Sequence, residues 1–329
     1  MYPLRFAPIF QRYIWGGFGL RDHLQKNTGD ESAAESWELV DHRDNQSIVL
    51  EGDLKGKSLR QLIAEQADQL LGRELATSLS SPSIPQELRS RFPLLLKFLD
   101  ANRDLSIQVH PNDAFGATLD PPDLGKTEAW FVMAAKPGAK IYAGLKEGVT
   151  ESDFRAAAAS GKTPSMMHSF KPQVGDCVFI EAGTQHAIGG GLLIAEIQQA
   201  SNTTFRIDDW GRVGNDGKPR PLHIEQGIAA TNFDRGPVQP QTPTVDSDGV
   251  ETLVSCDKFT LRRHRTDKMI SLGGDGRFRI LSVIQGSATI EGDPSDKALE
   301  LAETALLPAC LDATKVVPEG PVELLEIFI

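Results

Sequence analysis

Short apolar runs dominate this chain, and Gly, Pro, Asn or Asp interrupts them about every ten residues, the spacing typical of a sandwich or barrel. The 30 glycines and 20 prolines supply the punctuation. In the first two thirds the spacing predicts strands over Leu94–Leu99, Ser106–His110, Ala129–Ala134, Lys140–Ala143, Cys177–Ile180, Leu192–Gln199 and Thr203–Ile207. No G-x-G-x-x-G or P-loop pattern follows any of them, so a dinucleotide or nucleotide-triphosphate site of those kinds has no support. The expected class is therefore mainly β.

Helical periodicity is scarce. It predicts a helix from Ser58 to Leu71, with Ser58 as cap and Leu59, Leu62, Ile63, Leu70 and Leu71 near one face. A shorter helix is expected over Gln86–Phe92, and a third over Thr150–Ala159, which opens on a capping Thr and an acidic first turn. The stretch 234–250 is rich in Pro, Asp and Gly and reads as a linker. It divides a domain over 1–233, with a helical insertion near 58–92, from a smaller one over 251–329. The second carries expected strands Lys258–Arg265, Phe278–Gln285, Ser287–Glu291, Ala305–Pro308 and Val322–Phe328, with a hairpin signal at Gln285-Gly286-Ser287.

The net charge of −11 disfavours nucleic acid and anionic membrane surfaces as partners. An anionic substrate would need a local basic cluster. No apolar run approaches the length of about 18–20 residues that spans a bilayer, and the first residues lack a secretory pattern. Three widely separated cysteines argue against a disulfide framework, and a cytoplasmic location is expected. Cys177 lies in an apolar run and reads as a buried strand residue.

Four segments carry the polar residues of interest. In Leu105–Asp113, residues two apart on a strand share a face, so Gln108 and His110 project together while Ile107 and Val109 face a core. An imidazole beside an amide oxygen is half of a metal site, although a His-Pro at a strand end is more often a turn or core residue. In Gly125–Trp130, Lys126 and Glu128 share a face; adjacent opposite charges more often mark a solvated edge. In Glu181–Gly191, glycines permit a strand–turn–strand reversal that would put His186 at the mouth of a barrel. Glu196 sits within an apolar strand, where a carboxylate needs a partner or a task. His23, His42, His168 and His264 have no ligand-like neighbours.

Together, Gln108-x-His110-Pro111, Lys126-Thr127-Glu128, Gly183-Thr184-Gln185-His186-Ala187-Ile188-Gly189 and Glu196-Ile197-Gln198-Gln199 through Thr204-Phe205-Arg206-x-Asp208-x-Trp210 resemble type I mannose-6-phosphate isomerases in order and spacing. Tyr13-Ile14-Trp15-Gly16-Gly17 and Glu35-Ser36-Trp37-Glu38 look like the shorter bacterial members. The resemblance covers roughly residues 5–233. It implies cupin (jelly-roll) barrels in a bicupin, the second degenerate and without metal. It also implies one Zn2+ per chain on Gln108, His110, Glu128 and His186, and a sugar phosphate as substrate. Interconversion of mannose 6-phosphate and fructose 6-phosphate would run through a cis-enediol. By the same resemblance, Arg206 is the active-site cation, Glu196 is an acid–base group with Lys126 or a metal-bound water as alternatives for the base, and Ser106 and Arg212 contact the phosphate. Lys218 and Arg220 extend the basic run and more often mark a solvated loop. The competing classes are another metal-dependent cupin enzyme of the dioxygenase type and a sugar-phosphate-binding regulator without turnover.

Overall fold

The structure, a computed structural model, describes residues 1–214 and 217–329. Two antiparallel sheets form the first barrel. One has six strands, in the order Cys177–Ile180, Glu128–Ala135, Leu192–Gln199, Leu94–Ala101, Glu35–Leu39 and Ile9–Gln11. The other has five, in the order Met167–Phe170, Ile141–Leu145, His186–Ile188, Ile107–Val109 and Phe205–Asp208. Side chains from both sheets, Leu99, Trp130 and Ile194 on one and Ile141, Ala143 and Ile188 on the other, join one apolar cluster.

The strand Leu94–Ala101 is buried along its whole length, and alternation explains what each face does. Lys97 and Leu99 point into the barrel and line a pocket. Leu94, Leu96 and Phe98 point outward, into a cluster that also holds Leu59, Leu62 and Ile63 of a helix and Phe259, Phe278, Ile280, Leu306 and Ile327 of the second barrel. The six-stranded sheet is therefore covered on both faces, which is why its central strands read as continuous apolar runs.

The second barrel joins a seven-stranded sheet to a three-stranded one. Its interior is filled by aliphatic side chains, among them Leu281, Val283, Leu307, Val316 and Leu324. Its sheet also includes the chain's first strand: Leu4–Arg5 pairs with Thr304–Leu307, and the Arg5 guanidinium bonds Asp293 and Glu303. The stretch read as a linker is tied down as well. Val238 N–H donates to the Ala143 carbonyl, Gln241 N–H to that of Cys177, and Thr244–Val245 pairs with Glu251–Ser255.

The helix Leu59–Leu71 forms where expected. Ser58 and Gln61 cap it reciprocally, and the five apolar residues named above are buried. A further helix, Arg73–Leu79, follows Gly72. That glycine has φ +89°, and a Cβ there would lie 2.2 Å from the Gly276 carbonyl oxygen, so no other residue fits. The predicted helix over Gln86–Phe92 is a single 3-10 turn, Gln86–Leu88. Arg89 is already extended, Ser90 has φ +51°, and Pro93 cannot continue a helix. The third helix, Glu151–Ala159, has the expected Thr150–Asp153 capping box. No helix among the described residues is long and apolar enough to cross a membrane.

Candidate active site

Strand register assembles the pocket. On the five-stranded sheet Gln108 lies opposite His186 on one side and opposite Arg206 on the other. On the facing sheet Glu196 lies between Lys97 and Trp130, and Gln198 lies opposite Glu128. Gln108 and His110 share a face as their spacing predicts, and Glu128 opens its own strand.

The ligand atoms of His110, Glu128 and His186 all lie within 4.8 Å of one another, and all three residues are buried. His186 Nε2 is 3.4 Å from Glu128 Oε1, and His110 Nε2 is 3.7 Å from Glu128 Oε2. The Gln108 amide approaches His186 Nε2 at 3.4 Å. Each imidazole donates its Nδ1–H to a backbone carbonyl, His110 to Thr203 at 2.8 Å and His186 to Thr184 at 2.9 Å. A carbonyl can only accept, so both Nε2 lone pairs turn toward the shared centre. Burial foremost, then the Lys126 and His186 charges, holds the His110 pKa well below its usual value. Burial brings that of His186 down to about 4. Both rings are thus neutral near pH 7, the form that binds a metal. Burial and the neighbouring Glu196 push the Glu128 carboxyl up to about 7, so this position favours a nearby cation. The His110 lone pair already faces one, the Lys126 ammonium at 3.0 Å. Two imidazoles and a carboxylate form a donor set of borderline hardness that fits a divalent metal.

Beside this centre runs a buried ionic chain. Lys126 is 2.8 Å from Glu128 and 3.8 Å from Glu196. Lys97 is 3.1 Å from Glu196 and 3.3 Å from Glu35. Burial opposes the charge on Lys97, but Glu196 and Glu35 outweigh it and raise its pKa. Burial likewise opposes the Glu196 carboxylate, and the two lysines lower its pKa in spite of that. Glu196 is therefore an ionised carboxylate in a dry site.

Of the residues singled out from sequence, Ser106, Gln108, Lys126, Glu128, His186, Glu196 and Arg206 line this pocket, and His110 joins them at the centre. Ser106 Oγ donates to the Gln108 amide oxygen at 3.1 Å. Arg206 Nη1 donates to the Pro221 carbonyl, while its buried Nε has no partner among the described residues. Arg212 is absent from the lining of this pocket and borders a neighbouring surface depression. Its guanidinium is spent on Asp209 and on the Asp104 carbonyl. Arg220 lines the pocket and is held by both oxygens of Asp209.

Sequence reasoning passes over Lys97 and assigns no role to Glu35 and Tyr13, which it meets only within motifs; all three line the pocket. A signal for Lys97 exists: it interrupts the run Leu94-Leu95-Leu96-Lys97-Phe98-Leu99 just as Glu196 interrupts its own strand. Four basic and three acidic side chains line the pocket of a chain whose net charge is −11, which supplies the local counter-charge that an anionic substrate requires.

A family model described as phosphomannose isomerase type I, catalytic domain, matches residues 4–129. The chain is 34% identical over 289 residues to mannose-6-phosphate isomerase ManA of Bacillus subtilis, covering 86% of each chain. It is 33% identical over 308 residues to mannose-6-phosphate isomerase of Streptococcus mutans, covering 93% of this chain and 92% of that one. Among solved structures, the mannose 6-phosphate isomerase from Bacillus subtilis superposes with a TM-score of 0.87 at 29% identity, over 100% of both chains. A putative mannosephosphate isomerase from Archaeoglobus fulgidus, at 22% identity and a TM-score of 0.75, shares the fold over 99% of this chain and 97% of that one.

Proposed function

The chain belongs to the type I mannose-6-phosphate isomerase family, and on that footing we propose that its first barrel interconverts mannose 6-phosphate and fructose 6-phosphate. The observation that carries this reading is the convergence of Gln108, His110, Glu128 and His186 beside Lys126, Lys97, Glu196 and Arg206 in one pocket. We assign one Zn2+ to the four ligands; a divalent ion bound there supplies Lewis-acid polarisation of a sugar oxygen.

The reaction moves one proton from C2 of the open-chain aldose to C1 of the ketose, and a second between O1 and O2, through a cis-enediol. The C2 proton is weakly acidic, so developing negative charge on oxygen must meet positive charge as it forms. In this reading Arg206 provides that charge from the five-stranded sheet. Glu196, held ionised by Lys97, takes the carbon-bound proton and returns it to the adjacent carbon. Lys126 lies between Glu196 and the ligand Glu128 and is the donor for the oxygen-to-oxygen transfer. Arg206→Ala is expected to retain metal and to lower kcat by about 100–1000-fold, the cost of removing one charge-stabilising donor; unchanged turnover would remove Arg206 from the mechanism.

The substrate phosphate is assigned to Ser106 and Arg220, with Arg212 acting from behind through Asp209 rather than by direct contact. Arg220→Met is therefore expected to raise KM by more than tenfold with a smaller change in kcat, and Arg212→Met to raise it less. Steady-state kinetics on the two variants decides the order.

The experiment that tests the whole reading follows fructose 6-phosphate formed from mannose 6-phosphate before and after chelation, and again after Zn2+ is restored. Chelator-sensitive turnover regained with zinc is the expected result. Oxygen uptake without isomerisation would instead indicate a dioxygenase-type cupin, and tight sugar-phosphate binding without turnover a regulator.

A further inference from the structure

The two imidazoles of the metal centre are oriented by different means. His186 donates to the carbonyl of Thr184, two residues away in its own turn, and that turn is closed locally by the bond from Thr184 N–H to the Glu181 carbonyl. His110 donates to the carbonyl of Thr203, 93 residues away in sequence. Residues 201–204 belong to no strand or helix, so no ladder fixes the direction of that carbonyl.

What fixes it is a buried carboxylate. Asp123 is 1% exposed, and its Oδ2 accepts from the Thr203 hydroxyl at 2.9 Å and from the Asn202 N–H at 3.4 Å. Its Oδ1 accepts from the Leu124 N–H at 3.0 Å. Behind it stands His42, 3% exposed, with Nε2 at 3.3 and 3.2 Å from the two carboxylate oxygens. A charged acceptor shielded from water holds its donors more firmly than a neutral or exposed one. Thr203 thus grips Asp123 through its hydroxyl and His110 through its carbonyl. Its neighbours Asn202 and Thr204 line the pocket.

We propose that Asp123, braced by His42, is a positioning residue for the metal centre, acting through Thr203 to keep His110 in the Nδ1–H tautomer with its Nε2 lone pair on the centre. The proposal rests on the metal-centre reading above and extends it to side chains that touch neither metal nor substrate. It also gives a task to His42, whose sequence surroundings offer none.

The test uses the full chain stripped of metal. Zn2+ affinity is measured by competition with a chromogenic chelator, and the protonated nitrogen of His110 by imidazole 15N chemical shifts. Thr203→Val keeps shape and removes only the hydroxyl; it and Asp123→Ala are expected to weaken zinc binding by about 10–100-fold and to give His110 mixed tautomers. Thr203→Ser, which restores the hydroxyl, is expected to bind like the wild type. Should Asp123→Ala fail to fold, Thr203→Val carries the test. Wild-type zinc affinity and a single Nδ1–H tautomer in Thr203→Val would overturn the proposal. If the wild-type chain bound no zinc, the metal-centre reading would fall, and the His110 tautomer in Thr203→Val would still decide whether Asp123 orients the ring.

Discussion

Replacement of His186 by Ala is expected to remove metal and turnover together. The side chain is 1% exposed, its Nε2 lies 3.4 Å from Glu128, and its Nδ1–H is committed to the Thr184 carbonyl. Nothing else on the strand His186–Ile188 can replace it as a ligand: Ala187 faces the opposite side, into a cluster with Ile107 and Phe154, and Ile188, which lines the pocket, is aliphatic. Loss of a residue that merely supports a ligand costs about 10–100-fold in metal affinity, so loss of the ligand itself should exceed that range. Metal content by atomic absorption and isomerase activity should fall in parallel. His168, a partly exposed residue of the edge strand Met167–Phe170 whose ring bonds Gln239, serves as the control: His168→Ala should change neither. A His186→Ala protein with full metal content would dissolve the centre as drawn.

The second large effect is expected at Lys97. Its ammonium is the counter-charge for both Glu35 and Glu196, at 3.3 and 3.1 Å, and all three side chains are buried. Lys97→Met removes the counter-charge that Glu35 and Glu196 share and leaves Glu196 only the more distant Lys126, at 3.8 Å. Breaking a buried pair from one side costs about 3–5 kcal/mol, and the variant should lose stability on that scale in urea. Activity should fall as well, since Glu196 would then take up a proton and cease to act as a base. The double variant Lys97→Met/Glu196→Gln should recover part of the stability, because the orphaned charge is gone, but none of the activity. A single variant within about 0.5 kcal/mol of the wild type, the range of an ordinary surface substitution, would show that the ionic chain is not coupled as the distances indicate.

These two positions differ in how readily sequence discloses them. His186, His110, Gln108 and Glu128 stand in local patterns where a period of two and a glycine turn suffice to place them. Lys97 meets Glu196 only through the pairing of Leu94–Ala101 with Leu192–Gln199, and register between strands so far apart is not written in either of them. Spacing likewise does not disclose that Arg220 lines the pocket while Arg212 borders the neighbouring depression, since both guanidiniums are held by Asp209. The same limit applies to the outer face of the six-stranded sheet. Its apolar residues announce burial, but not that the covering partner is the second barrel.

The pairing of Leu4–Arg5 with Thr304–Leu307 has a consequence for synthesis. Synthesis from the amino end makes Leu4–Arg5 long before its partner strand: until residues 304–307 emerge, the segment has only nearby partners, such as the Leu50 N–H on the Arg5 carbonyl. Until the second barrel is made, the outward apolar face of the six-stranded sheet is bare, a state prone to aggregation. Completion of the final strands, not of the metal-binding segment, is the event that closes the molecule. Deletion of Leu4–Arg5 should accordingly be felt in the sheet of the second barrel.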